Sequence, residues 1–377
     1  MLTLENNLTL TSLFAFIIAL LVAFASTPAV KMLAVRIKAV DVPKDARRMH
    51  KVPIPRAGGL AIFAGFLVSS LLFLPMTGQF RAILLGALLL VVLGIIDDVV
   101  ALDAKIKFVG QILAALIPAL SGVVISGFVN PFAESNYFGL GVFSIPVTIL
   151  WVVGITNAVN FIDGLDGLAC GVSAIATITM FIIAILFQEA QIALMMAALA
   201  GACLGFLPYN MNPAKIFMGD TGSMFLGYIL AVTSIQGLFK FYAVISFAVP
   251  FILLGLPIFD TGFAIIRRIM KGQSPLQADR GHVHHRLIDL GFDQKQSVAI
   301  LYAFSALMGL TAVILAKTSE SKLIVLALAV IVCFFLGMTL MSFEKRHQKE
   351  TQELLEKMKN EALEKAQEQE NGKGEPS

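Results

Sequence analysis

Charge is what this sequence has least of. Only 14% of its 377 residues are Asp, Glu, Lys or Arg, against 58% hydrophobic, and the mean hydropathy is +0.85. Soluble domains devote about a quarter of their residues to charge, so a fold solvated by water on all sides is excluded and the chain must be solvated largely by lipid. Cysteine is scarce as well: Cys170, Cys203 and Cys333 sit singly inside apolar runs with no CxxC spacing. That pattern argues against a disulfide framework or a zinc site and reads as small hydrophobic packing. Period-2 alternation is missing, which leaves helices rather than barrel strands to satisfy the backbone in lipid. No internal repeat and no soluble catalytic domain can be found, so any chemistry must be done at the membrane surface.

What is present is a series of apolar runs near 11–35, 58–75, 82–100, 108–127, 144–162, 168–187, 192–209, 222–239, 242–268, 298–316 and 322–342. Each approaches the roughly 20 residues that cross a bilayer. The expected fold is therefore an all-α, polytopic helical bundle of about eleven spans, with residues 1–342 as its transmembrane domain. The first run, from Leu13 to Val35, is longer than the apolar core of a cleaved signal and has no basic segment before it, so it reads as a retained span.

Basic residues set the expected orientation. One group of connections carries Arg36, Lys38, Lys44, Arg47, Arg48, Lys51, Arg56, Lys105, Lys107, Lys215, Arg267, Arg268, Lys271, Arg280, Arg286 and Lys295; the other carries Arg81, Lys240, Lys317 and Lys322. The positive-inside rule places the first group in the cytoplasm and the N-terminus outside. Residues 343–377 form a charged cytoplasmic tail whose Leu354, Leu355, Met358 and Ala362 recur at helical spacing. It reads as a helix fraying into disorder, either a solvated extension or a partner-binding segment.

Given that orientation, the polar residues gather on one side. Asp97-Asp98 closes span three; Asn157, Asn160, Asp163 and Asp166 close span five; Asn210, Asn212 and Asp220 lie between spans seven and eight. Ionisable groups so placed mark a site. Two adjacent carboxylates at a helix C-terminus imply a nearby cation or a proton-transfer role, with Lys105 and Lys107 just beyond; the alternative is a solvated acidic helix end. The oxygen-rich stretch from 157 to 166 suits Mg2+ shared with phosphates, or else makes an Asx/Gly turn. FMGDTGS (217–223) opens a helix whose free N–H groups favour an anion; a plain cap by Asp220 or Ser223 is the alternative. His282, His284 and His285, with Arg280 and Arg286, can grip phosphate, bind metal or shuttle protons, or they are surface histidines without a role. Asp260, deeper in span nine, is expected to pair with Arg267 or Arg268.

At these residues the sequence resembles the polyprenyl-phosphate N-acetylhexosamine-1-phosphate transferases. DDVVALDAK (97–105), NAVNFIDGLDGL (157–168), FMGDTGS (217–223) and GHVHHRL (281–287) follow the family's order, and PRAGG (55–59) is similar to its early cytoplasmic motif. HVHHRL and the odd span count resemble the bacterial branch that starts teichoic acid or O-antigen synthesis, rather than the peptidoglycan branch with three consecutive histidines. The resemblance implies a multi-pass enzyme of the bacterial plasma membrane with its site facing the cytoplasm. It implies transfer of GlcNAc-1-phosphate from UDP-GlcNAc to undecaprenyl phosphate, with Mg2+ as cofactor or Mn2+ in its place. Partners would be those two substrates and membrane lipid, with no nucleic acid and a homodimer left open. By the same resemblance Asp220 and Asn160 hold metal, with Asp163 in the same inner site. Asp166 and Phe217 meet the uracil, Asn210 lines the nucleotide pocket, and His282, His284, His285 and Arg280 hold the diphosphate. Asp97 or Asp98 orients or deprotonates the lipid phosphate, with Lys105 nearby. A secondary transporter and an intramembrane aspartyl protease are the rival classes; the first expects midplane sites in inverted repeats, and the second leaves most motifs unexplained.

Overall fold

The computed structural model describes residues 7–43, 52–129, 137–237, 245–270 and 282–317. The eleventh run at 322–342, the tail from 343, Cys333, Lys44, Arg47, Arg48, Lys51, Lys240, Lys271, Arg280 and Lys322 lie outside them. The described chain is mostly helical: α1 (Leu8–Arg36), α2 (Gly59–Phe73), α3 (Gly78–Val100), α4 (Ala104–Leu120), α5 (Ser144–Phe161), α6 (Leu168–Leu186), α7 (Ala190–Asn210), α8 (Gly219–Gly237), α9 (Ile245–Leu253), α10 (Gly255–Met270), α11 (Val283–Asp289) and α12 (Gln294–Lys317). Helices α1, α3, α6, α7 and α12, and α5 with the 3-10 turn before it, are long and apolar enough to cross a membrane.

Two features depart from the expectation of an unbroken all-helical chain. The run at 242–268 is divided at Leu254 into α9 and α10. Pro257 has no N–H to offer the Leu253 carbonyl, so the helical ladder cannot pass through unchanged. Two short antiparallel ribbons also form: β1 (Val40–Asp41) with β2 (Ile54–Pro55), and β3 (Gly127–Val129) with β4 (Tyr137–Gly139). They are too brief to leave an alternating signature in a sequence this apolar.

Packing is inverted relative to a soluble bundle. On α1 the inward residues are Ala15, Ala19 and Ala23, whereas Leu13, Ile17, Leu21 and Phe24 are exposed. With lipid outside, large apolar side chains gain nothing by turning inward, and small ones let backbones approach. Helix α7 meets α1 at Gly201 and Gly205, where an added Cβ would strike the backbone carbonyl oxygens of Phe16 and Leu20. Single polar bonds tie other pairs: Ser69 Oγ donates to Ala15 O at 2.7 Å, Tyr228 Oη to Ile83 O at 3.1 Å, and Trp151 Nε1 to Ser234 Oγ at 3.0 Å. Helix α8 is the axis of the bundle, with every residue but Asp220 buried, and it packs against α2, α3, α5 and α6. Because successive helices alternate direction, the C-termini of α3, α5 and α7 and the N-termini of α4, α6 and α8 meet at one end.

We expect Gly205→Leu to lower the melting temperature of the purified protein, since forced overpacking costs about 1–3 kcal/mol. Gly154→Ala, at a position with open space around it, should leave the transition in place.

Candidate active site

Helix α3 ends where Ala101 turns left-handed at φ 53° and its N–H closes onto Asp97 O. Asp103 then caps α4 by accepting the Lys105 N–H at 2.7 Å. This tight turn sets the lysine phase. Lys105 is exposed, whereas Lys107 reaches back with Nζ 3.3 Å from Asp97 Oδ2 and 2.8 Å from Asp220 Oδ2. Of the two lysines expected beside the aspartate pair, Lys107 therefore makes the contact and Lys105 lies exposed. Asp97 also accepts the Leu102 N–H at 2.8 Å.

Asp98 is fully buried, with 0% of its side chain exposed. Its oxygens accept the N–H groups of Asp220 (3.0 Å) and Thr221 (3.2 Å) and the Thr221 hydroxyl (2.7 Å). The cap of α8 is thus supplied by α3 rather than by Asp220 or Ser223, and this capping engages both oxygens of Asp98. Gly219 makes this approach possible: φ is +70°, and a Cβ there would collide with the Asp98 carboxylate. Asp220, released from capping, turns Oδ1 toward Asn160 Nδ2 at 3.2 Å, and the same amide donates to Ser223 Oγ at 2.7 Å. Asn157, one turn earlier on α5, pairs instead with Gln111 at 2.6 Å.

The segment after β2 contributes a residue whose role the sequence did not declare. Pro55 O accepts the Phe217 N–H at 2.8 Å, and Phe217 O and Met218 O accept from Gly58 and Gly59, both at 2.9 Å. This pairing lays Arg56 over the aspartates, with Nε 3.4 Å from Asp98 Oδ1 and Nη2 3.9 Å from Asp220 Oδ1. The only sequence hint was its place in PRAGG.

A cleft of about 510 Å3 opens beside these groups, bordered by Arg56, Asn160, Asp163, Asp166, Asn210, Phe217, Asp220 and His285. Desolvation, followed by repulsion from Asp220, pushes the Asp163 carboxyl up to about 7, with Arg56 opposing. Asp166 Oδ2 accepts from Asn212 Nδ2 and the Ala214 N–H, both at 3.0 Å, and Asn212 Nδ2 also donates to Gln294 Oε1 at 2.7 Å. Asn210 donates to Ile216 O at 3.1 Å and so pins the loop that carries Phe217.

The three histidines do not share one environment. His282 and His284 are buried, and only His285 borders the cleft. The His284 ring occupies the space a Cβ on Gly164 would need. Asp260, expected to serve an arginine, bonds to His282 Nδ1 at 2.8 Å and accepts the Val283 N–H at 2.7 Å. Arg280 lies outside the described residues.

Residues 80–238 match glycosyl transferase family 4. A probable undecaprenyl-phosphate N-acetylglucosaminyl 1-phosphate transferase of Bacillus subtilis is 44% identical over 303 residues, covering 80% of this chain and 84% of the relative. The chain belongs to the bacterial polyprenyl-phosphate GlcNAc-1-phosphate transferase branch of that family. A decaprenyl-phosphate N-acetylglucosaminephosphotransferase of Mycolicibacterium smegmatis is 37% identical over 75% of the transferase and 77% of its own length. A phospho-N-acetylmuramoyl-pentapeptide-transferase of Halalkalibacterium halodurans is 36% identical over 62% and 76%.

The donor set of the transferase fits a hard divalent cation held jointly with a ligand. Four carboxylates (Asp97, Asp98, Asp163 and Asp220) interact with two cations, Arg56 and Lys107, and Asp166 borders the same cleft. Among the described residues no three His, Cys, Asp or Glu side chains converge into a cage. Mg2+ needs only one or two carboxylates besides water and phosphate oxygens, whereas structural zinc needs four protein ligands. Asp220, Asn160 and Asp163 are among the oxygen-bearing residues that border the cleft.

Desolvation, with the His285 imidazole adding, lowers His284 to about 3, so it contributes no charge near neutrality. The unfolded chain takes up this proton below about 6.5 while the folded chain does not, so folding stability falls as pH drops from there toward 3. We expect His284→Gln to lose less melting temperature than the unaltered transferase between pH 6.5 and 5.

Proposed function

We propose that the transferase moves GlcNAc-1-phosphate from UDP-GlcNAc to undecaprenyl phosphate, releasing UMP and leaving the diphosphate-linked lipid that starts a cell-surface polysaccharide or teichoic acid. The observation that carries this reading is the convergence of Asp97, Asp220, Asn160, Lys107 and Arg56 beside one cleft at one end of an apolar bundle. A lipid phosphate sits at headgroup depth and a sugar nucleotide arrives from water, so their meeting point must be such a rim. The basic residues in the connections support an eleven-span layout in a bacterial plasma membrane, with this rim cytoplasmic and the N-terminus outside.

Phosphoryl transfer asks chiefly for alignment and charge neutralisation. An oxygen of the acceptor phosphate attacks the sugar-bearing phosphorus, the P–O bond to UMP breaks, and UMP leaves as an anion. The acceptor needs no strong base, because the second pKa of a phosphate monoester is about 6. Direct attack therefore suffices, and no covalent aspartyl intermediate is required. Asp220, Asn160 and Asp163 would hold Mg2+, which when bound supplies neutralisation of the diphosphate oxygens. Lys107 bridges Asp97 and Asp220 and meets the incoming phosphate; Arg56 faces the same anions from the opposite side. Asp98 acts through α8, keeping Asp220 on the rim. Phe217 and Asp166 border the place for the base, and His285 faces the diphosphate.

Purified protein should release UMP from UDP-GlcNAc only when undecaprenyl phosphate and Mg2+ are both supplied, and chelation should stop it. A transporter or protease would release none, and faster release from UDP-MurNAc-pentapeptide would move the protein to the peptidoglycan reaction. Asp220→Asn and Lys107→Met should each lower turnover by about a hundredfold or more, with melting temperatures close to that of the unaltered protein. Near-normal turnover in folded Asp220→Asn would remove that residue from the metal site.

A further inference from the structure

Asp260 stands apart from the cleft. It lies on α10 and is 3% exposed, and a carboxylate buried in an apolar helix is costly unless its oxygens are engaged. Both are engaged by two adjacent residues at the start of α11: His282 through Nδ1 and Val283 through its backbone N–H. One carboxylate thus decides two things. It sets where α11 begins, and as an acceptor it fixes Nδ1 as a donor nitrogen of the His282 ring. The consequence runs along the short helix. The His282 ring stacks on His284 with centroids 5.7 Å apart and planes 7° apart, His284 lies against Gly164, and His285 follows at the cleft.

We propose that Asp260 is a positioning residue for the donor diphosphate, holding the histidine helix so that His285 meets the cleft. The proposal rests on the sugar-nucleotide reading above. A grip made equally in the ground and transition states changes KM and leaves kcat alone, so the effect should fall on the donor KM.

The test compares Asp260→Asn, His282→Gln and the double variant with the unaltered protein, measuring KM for UDP-GlcNAc, KM for undecaprenyl phosphate and kcat. Asn keeps an acceptor for Val283 but turns an amide N–H toward His282, reversing its tautomer. We expect each single variant to raise the donor KM by about tenfold, with kcat and the acceptor KM little changed. The double variant should be no worse than His282→Gln, because the two residues act as one unit. Additive effects, or an unchanged donor KM, would overturn the proposal. Amide exchange over residues 283–289, measured without substrate on Asp260→Ala and on Asp260→Asn, tests the anchoring alone. Faster exchange in that segment of Asp260→Ala, with α6 unaffected, supports it; unchanged exchange refutes it. If Asp260→Ala does not fold, the kinetic cycle on Asp260→Asn decides. Absence of UMP release by the unaltered protein would instead count against the sugar-nucleotide reading, leaving the exchange result to judge Asp260.

Discussion

The Asp98 carboxylate accepts two backbone N–H groups and a hydroxyl from the start of α8, and the geometry of the whole rim follows from that set of bonds. A helix N-terminus presents N–H groups with no partner inside the helix, and a buried carboxylate without partners is strongly destabilising. Each resolves the other's deficit. The neighbours in sequence are placed as a result: Asp97 is left to Lys107 and Leu102, and Asp220 projects toward Asn160 and Arg56. Two aspartates adjacent in the chain therefore make different contacts, one holding the start of α8 and one pairing with Lys107.

Lipid accounts for the form of the remainder. Apolar side chains gain little by leaving the hydrocarbon, so the helices are held by close backbone approach at glycine and alanine and by isolated hydroxyl and indole bonds. Charges are affordable only where water and counter-charges are available, at the helix ends. Alternating helix direction brings helix C-termini and N-termini to the same end, and the residues around the cleft come from both kinds of terminus. A cleft rich in carboxylates calls for counter-charges, which Lys107 and Arg56 bring from the chain itself.

The histidine segment adds a second layer of control. Its residues differ in burial within one short helix, so a single motif divides into an anchor, a packing residue and a group facing the cleft. Asp260 fixes the anchor from a helix remote in sequence. A motif written as a row of like residues conceals this division, because adjacent positions on a helix point in directions about 100° apart.

The sequence by itself determined the membrane class, the positions of the six described helices long and apolar enough to cross a membrane, and the family, because lipid solvation demands long apolar runs and ordered motifs survive as local strings. It also marked Asp220, Asn160, Asp163, Asp166 and Phe217, all of which border one cleft. Only the tertiary structure decided which neighbour of a pair does what. Lys107 rather than Lys105 reaches the aspartates through the phase of α4 after a left-handed turn, Asp98 is spent as a cap, and Asp260 serves His282. Arg56 joins the site through backbone pairing between residues 55–59 and 217–218. Each of these depends on contacts between segments more than 20 residues apart or on the rotation of one residue about a helix axis, and neither is encoded in the spacing of residue types along the chain.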